Sequence, residues 1–396
     1  MANINFKKAT AIIAVHESIP VGPSHEIRTY LLERKIGKLI FITHPLTYLK
    51  EFYKESSTVS YYIDGKLKRK KIAFHWVLPE PLLYVKDVLY TLYWCLKAER
   101  KYDFYVGVDP LNAFSGILLK KLGRVDKVIY LSIDYFTQRF ENNILNKIYH
   151  ATDKFCVWFA DETWNLSIYM ALAREKYNHM DLKKYNEQYT VPVGAWVRKV
   201  KRKPFERINK KKIVFIGNFI PIMGIDLILA AMPIILKKIP DIKLSIIGEG
   251  PESAALHKLA KDLKLTKHIT FYGWVSDKKK LAKLLSDGAV GLAPFNTLIL
   301  DDQVRNADPG KLKDYMVWGM PVVVTDAISH SKQIENAKCG IIISYNKVEL
   351  AAAVLKLMTN QNTLRRYRAN AVKYMEQFDY ETIFGSNLSR VLKLKE

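Results

Sequence analysis

Along this chain, short apolar runs alternate with longer stretches of helical spacing. That alternation predicts strands and helices building parallel sheets. AIIAV (11–15), LIFIT (39–43), YDFYVGV (102–108), KVIYLSI (127–133) and FCVWFA (155–160) each have the length and apolar content of a buried strand. Residues 24–37, 82–98 and 112–122 carry helical spacing. A second series begins at KIVFIG (212–217) and continues through IKLSIIG (242–248), HITFYG (268–273), AVGLAPF (289–295), PVVVT (321–325) and GIIIS (340–344). Helices are expected from Gly224, Glu252 and Gly310, around 278–287, and over 347–359 and 362–377. The fold class is α/β, and a doubly wound sheet places its ligand outside the carboxyl ends of its strands.

Between the two series, VPVGAWVRKVKRKPFERINKKK (191–212) turns abruptly basic and rich in turn residues, which predicts a linker. The expected domains are residues 1–195, 196–376 and a closing helix, 377–396, that crosses back to the first domain. A chain of 396 residues with 49% apolar and 26% charged side chains can bury two cores. Three scattered cysteines, Cys95, Cys156 and Cys339, argue against a disulfide framework and for a reducing compartment. The apolar run before His16 and Glu17 is too short for a signal peptide or a spanning helix and reads as a first strand.

The net charge of +23 changes the picture more. Lys66, Lys68, Arg69, Lys70 and Lys71 form one basic run, and residues 198–212 hold nine basic residues against one acid, Glu206. Such a protein seeks polyanions: nucleic acid, anionic lipid or phosphorylated substrates. No nucleic-acid-binding signature accompanies the charge, so nucleic acid is not an expected partner. Residues 81–98 (PLLYVKDVLYTLYWCLKA) read as a helix apolar nearly all round, either buried or lying at a membrane interface. With the basic run beside it, an anionic membrane surface is the expected partner, on the inner, cytoplasmic face.

The chemistry concentrates in Asp308-Pro309-Gly310-Lys311-Leu312-Lys313-Asp314-Tyr315. Pro309 and Gly310 open a helix whose first N–H groups lack intrahelical partners and favour an anion. Lys311 in that first turn adds a full charge for a diphosphate. Asp314, three residues on, shares its helical face and can accept from ribose hydroxyls. No Asp-x-Asp metal motif lies near this site, and no metal is expected.

The segment through Val323 resembles the P-x-K-x-x-[ED]-Y-x-x-x-G-x-P-V element of family 4 glycosyltransferases and their GT-B relatives. Gly248-Glu249-Gly250-Pro251, Phe271-Tyr272-Gly273-Trp274-Val275 and Val191-Pro192-Val193-Gly194 resemble further elements of that family, in the same order. The resemblance implies two Rossmann-like domains facing across a cleft, with a nucleotide-sugar held by the second. It implies ribose binding by Asp314, diphosphate binding by Lys311 at Gly310, and a nucleobase near Gly273, Trp274 and Val275. The family's first glutamate falls on Asn306. The arginine and lysine that follow its first strand, Gly217 here, fall on Asn218 and Met223. Lys311, with Arg305, is expected to supply the missing charge. The loop and helix also resemble membrane-associated glucuronosyltransferases of the xanthan-assembly type. That likeness implies Asp134 as a base and His16 and Glu17 beside the acceptor.

The expected activity is hexosyl or glucuronosyl transfer from a nucleotide diphosphate sugar, a UDP-sugar by preference, to a lipid-linked or saccharide acceptor in glycan assembly. A degenerate GT-B scaffold and a sugar-nucleotide epimerase remain as alternatives.

Overall fold

A computed structural model describes residues 5–17, 21–46, 55–98, 101–300, 304–305, 307–328 and 330–393. The chain divides into two compact units, Met1–Pro192 with Tyr380–Glu396, and Val193–Asp379.

The first unit runs β1 (Thr10–Glu17), α1 (Pro23–Glu33), β2 (Lys38–Pro45), β3 (Thr58–Ile63), β4 (Lys66–Ile72), α2 (Glu80–Leu96), β5 (Tyr102–Val108), α3 (Asp109–Lys121), β6 (Val125–Ser132), α4 (Asn143–Phe159), β7 (Glu162–Asn165), α5 (Ile168–Asn178) and β8 (Glu187–Thr190). The strands form one sheet, ordered β4-β3-β2-β1-β5-β6-β7-β8. Pairing is parallel from β2 to β8, while β3 and β4 add an antiparallel hairpin at the edge. The second unit runs β9 (Lys212–Ile216), α6 (Ile225–Leu236), β10 (Lys243–Ile247), α7 (Ser253–Asp262), β11 (Ile269–Phe271), α8 (Lys278–Leu285), β12 (Val290–Ala293), α9 (Gly310–Val317), β13 (Val322–Thr325), α10 (Ser331–Asn336), β14 (Gly340–Ile343), α11 (Lys347–Met358) and α12 (Gln361–Met375). Its six strands are all parallel, in the order β11-β10-β9-β12-β13-β14.

These elements follow from the residues. β1, β5, β9 and β12 are continuous apolar runs because helices cover both faces of a parallel sheet, and their central residues are buried. Helix starts are marked by side-chain caps. Asn142 Oδ1 accepts from the amides of Ile144 and Leu145 at the head of α4, and Asn346 and Asn360 cap α11 and α12. A last helix, α13 (Tyr380–Lys393), packs in the first unit. Arg390 Nη2 donates to Glu162 Oε2 at 2.8 Å, Arg34 pairs with Glu381, and Phe384 meets Tyr30 edge-on.

Three expectations are corrected. FCVWFA is not a strand but the end of α4, where Cys156 and Val157 are buried and Trp158 and Phe159 lie outside. An apolar run this short fits a helix face as well as a strand. The stretch 191–212 is not a free linker: from Val193 it belongs to the second unit, and Ala195 bridges Asp379. Helix α2 is not apolar all round in its burial. Asp87, Thr91 and Trp94 face inward, while Leu82, Val85, Leu89 and Tyr93 form an exposed stripe. Among the described residues no helix is long and apolar enough to cross a membrane.

Candidate functional site

In the second unit the chain leaves β9 toward β10 on one side and later returns through β12 on the other. A crevice outside the carboxyl ends of β9 and β12 is therefore the switch point of the sheet. The loops that follow these strands touch through their backbones. Asn296 N donates to Ile222 O at 2.9 Å, and a Cβ on Gly224 would stand 1.9 Å from Pro294 O. Helix α9 is tied to the same place by Tyr315, whose hydroxyl donates to Leu292 O (3.0 Å) and accepts from Ile216 N (2.7 Å).

Anchored this way, Lys311 sends its amine under the β9 loop. Nζ lies 2.9 Å from Met223 Sδ and about 4.9 Å from the ring centres of Phe215 and Phe295. Gly217, with φ 150°, leaves the room: a Cβ there would stand 2.9 Å from that amine. The stem keeps partial exposure, but burial pushes the amine down to about 7. Among the described residues no carboxylate pairs with it. The neighbouring lysine is the opposite case. Lys313 is buried against Asp308 at 2.5 Å, and Asp308 also accepts from Val193 N at 2.8 Å. That pair is a structural lock; among the described residues the Lys311 amine meets no carboxylate.

The other expected donor residues are spread around this point. Gly310 is the first residue of α9. Asp314, Arg305 and Asn218 are exposed, and Asn306 lies outside the described residues. Gly273, at φ 66°, follows β11, and its carbonyl accepts from Gly248 N at 2.9 Å. Trp274 is exposed, while Val275 packs into the core beneath. Sequence reasoning read Met223 as a lost cation; it could not show that the sulfur would seat the Lys311 amine, 88 residues away.

In the first unit His16, next to last in β1, lies within a buried network. Its Nδ1 accepts from Asn112 Nδ2 (2.8 Å), which also donates to Val108 O. An amide NH2 can only donate, so this assigns the ring proton to Nε2, which then donates to Asp87 Oδ2 at 3.2 Å. Asp87 Oδ1 also accepts from Ser57 (3.0 Å) and meets Lys86 Nζ (3.0 Å) and His44 Nδ1 (3.2 Å). Burial works to raise the Asp87 carboxyl, but His44 and the bond from His16 outweigh it and hold it well below the usual range. Both ring nitrogens of His16 are thus occupied. Glu17 is bonded to His25, and Asp134 stands half-buried in the loop after β6. Asp109, directly after β5, takes φ 69°, a strained value for a residue with a side chain, and burial pushes its carboxyl up.

Known proteins resemble this chain in part. Residues 197–374 match the family model of glycosyl transferases group 1. A GDP-mannose-dependent alpha-(1-6)-phosphatidylinositol monomannoside mannosyltransferase of Mycobacterium tuberculosis is 26% identical over 163 residues, 41% of this chain and 42% of that protein. The chain matches only about half the length of such curated relatives. Among solved structures, sucrose-phosphate synthase from Thermosynechococcus elongatus superposes with a TM-score of 0.69 at 14% identity, covering 98% of this chain and 100% of that one. The Anabaena protein Alr3699/HepE, in complex with UDP and glucose, gives 0.64 at 14% identity, covering 97% and 99%. Residues 197–374 thus resemble the group 1 glycosyl transferases, and the chain as a whole carries the GT-B fold.

Proposed function

We propose that this chain transfers a sugar from a nucleotide diphosphate sugar, a UDP-sugar by preference, to a hydroxyl of a lipid-linked or saccharide acceptor. The observation that carries this reading is the Lys311 amine, enclosed at the switch point of the second unit with no carboxylate against it among the described residues. A buried amine costs free energy until an anion meets it, and a diphosphate between this amine and the first turn of α9 would do so. The resembling family carries its lysine on the loop after β9. Here Lys311 reaches the same loop from α9, at Met223. As the sugar–phosphate bond breaks, that cation would take the charge growing on the leaving diphosphate. Asp314, Gly310, Arg305 and Asn306 complete the donor side, with Gly217 and Asn218, and Gly273 to Val275 border the base. Asp134 takes the acceptor proton in an inverting transfer. His16 and Glu17, already bonded to Asp87 and His25, shape the acceptor side.

The UDP in the Anabaena structure supports uracil, and the mycobacterial relative makes guanine its competitor. An exposed apolar face supports work at an anionic membrane. Leu82, Leu89 and Tyr93 of α2 continue into Phe74 and Trp76, and Trp76 Nε1 donates to Tyr90 OH at 2.9 Å. The basic strand β4 leads directly into that segment, and each Lys or Arg near such a surface adds about 1 kcal/mol.

Incubation with UDP-glucose, UDP-glucuronate or GDP-mannose plus a lipid extract or oligosaccharides tests the reaction. Acceptor-dependent release of one nucleoside diphosphate is expected. Conversion of the donor without acceptor would make the protein an epimerase, and no turnover with no nucleotide bound would make it a scaffold.

Two further results are expected. Because the free amine titrates near 7, it must take up a proton to meet the diphosphate. UDP affinity should therefore fall by up to about tenfold per pH unit above roughly pH 7. Calorimetry between about pH 7 and 8.5 checks this, and a flat affinity would count against it. Gly217→Ala places a methyl on the seat of the amine and strains the backbone. UDP affinity should drop roughly tenfold, with the circular dichroism spectrum retained.

A further inference from the structure

The sheet of the first unit has its own switch point, between β1 and β5. A cavity of about 490 Å³ lies beside it. Its walls are nearly all carbon, with Tyr84 and Val88 from α2, Phe114 from α3, Phe140 from the loop before α4, and Tyr149 from α4. The polar members are few. His16 and Asp109 come from the carboxyl ends of β1 and β5, and Arg139 lies with its guanidinium over the rings of Phe136, Phe140 and Tyr149 at 5.1–5.9 Å. Two lining residues, Val85 and Ile148, are 54% and 56% exposed, so the cavity reaches the surface along α2 and α4.

Those walls select the occupant. A saccharide buried there would leave hydroxyls unpaired against aromatic and aliphatic carbon. A hydrocarbon chain would lose nothing and bury its own surface. The polar residues stand where an α/β sheet presents its chemistry, which suits a head group. Val85 belongs both to the cavity and to the exposed apolar stripe of α2, and that stripe adjoins the basic strand β4. The apolar lining is therefore continuous with a surface complementary to anionic lipid.

We infer that this cavity holds the hydrocarbon chain of an amphiphilic acceptor, with its hydroxyl-bearing head at His16, Asp109 and Arg139; this rests on the glycosyl-transfer reading and chooses the lipid over the free saccharide. Decyl β-glucoside below its micelle concentration is the probe, titrated calorimetrically into the full chain. Saturable binding, one per chain, is expected in the wild type. It should weaken at least tenfold in Val88→Trp, which fills the cavity, and in Val85→Asp, which charges its exposed rim. Leu89→Gln, on the outer stripe of α2, should leave it unchanged. Equal binding by wild type and both cavity variants, equal binding of glucose itself, or a loss in Leu89→Gln as large as in Val88→Trp would overturn the inference. UDP titrated into the same samples separates the two readings. UDP binding without decyl glucoside binding overturns the cavity assignment alone; decyl glucoside binding without UDP binding overturns the donor site and upholds the cavity.

Discussion

Exchange of Lys311 for methionine is expected to weaken UDP binding roughly 30- to 100-fold and, at the same time, to stabilise the empty protein. The first effect follows from the loss of a charge-assisted contact made in a desolvated place, worth about 2–3 kcal/mol. The second follows from the neighbours of the amine, which are Met223, Phe215 and Phe295. Pushing a lysine from 10.5 to about 7 by burial corresponds to on the order of 5 kcal/mol. Solvent at the stem and relaxation of the loop reduce this, so a gain of about 1–3 kcal/mol is expected near pH 7. The pH dependence has a definite sign. Below about 7 the amine is charged in both folded and unfolded chains, and its burial cost is fully present. Between about 7 and 10.5 the folded chain has released a proton that the unfolded chain still holds, so wild-type stability rises with pH. Urea unfolding of both proteins at pH 6.5 and 9 measures this. The advantage of Lys311→Met should shrink at the higher pH, and a destabilised variant would refute the picture of a strained, anion-seeking amine.

The second large effect is expected in the first unit, at Asp153. This residue and Arg174 are both fully buried. Arg174 Nε donates to Asp153 Oδ2 at 2.8 Å, and its other nitrogens reach Asn165 Oδ1 (2.6 Å) and Ser132 Oγ (2.8 Å). Tyr130 OH donates to Asp153 Oδ1 at 2.6 Å. The network joins β6, α4, β7 and α5. Asp153→Ala leaves the guanidinium buried without its carboxylate and Tyr130 without an acceptor, and should cost about 3–5 kcal/mol. The double exchange Asp153→Leu with Arg174→Met should recover part of that loss, because an apolar pair of similar volume removes the unpaired buried charge, while Tyr130, Asn165 and Ser132 still lose a partner. Denaturant unfolding followed by the signal of the first unit distinguishes the two, and equal loss in single and double variants would show that the pair is not the source.

Much of the scaffold could be read from the chain because buried parallel strands are uninterrupted apolar runs. YDFYVGV coincides with β5, and the six strands of the second unit were legible to within about two residues at each end. The edge hairpin was not read. KLKRKKI (66–72) has no apolar pattern because β4 is an edge strand, where lysines protect against further pairing. Its turn, Asp64-Gly65 with φ 51° and 74°, did carry a hairpin signal. The site divides the same way. Pro309-Gly310-Lys311 announced a helix start with a cation, and the structure puts that cation at the switch point. Contacts between distant positions left no local trace. His16 meets Asp87 across 71 residues, and the apolar cavity assembles from three helices whose inward faces look like any core.

Calorimetric titration of UDP, GDP and ADP into the wild type and into Lys311→Ala tests the donor site most directly. Selective binding of one nucleotide, UDP, is expected, with affinity lowered at least tenfold by the substitution. Binding of equal strength in both proteins, or no binding of any of the three by the wild type, would contradict it.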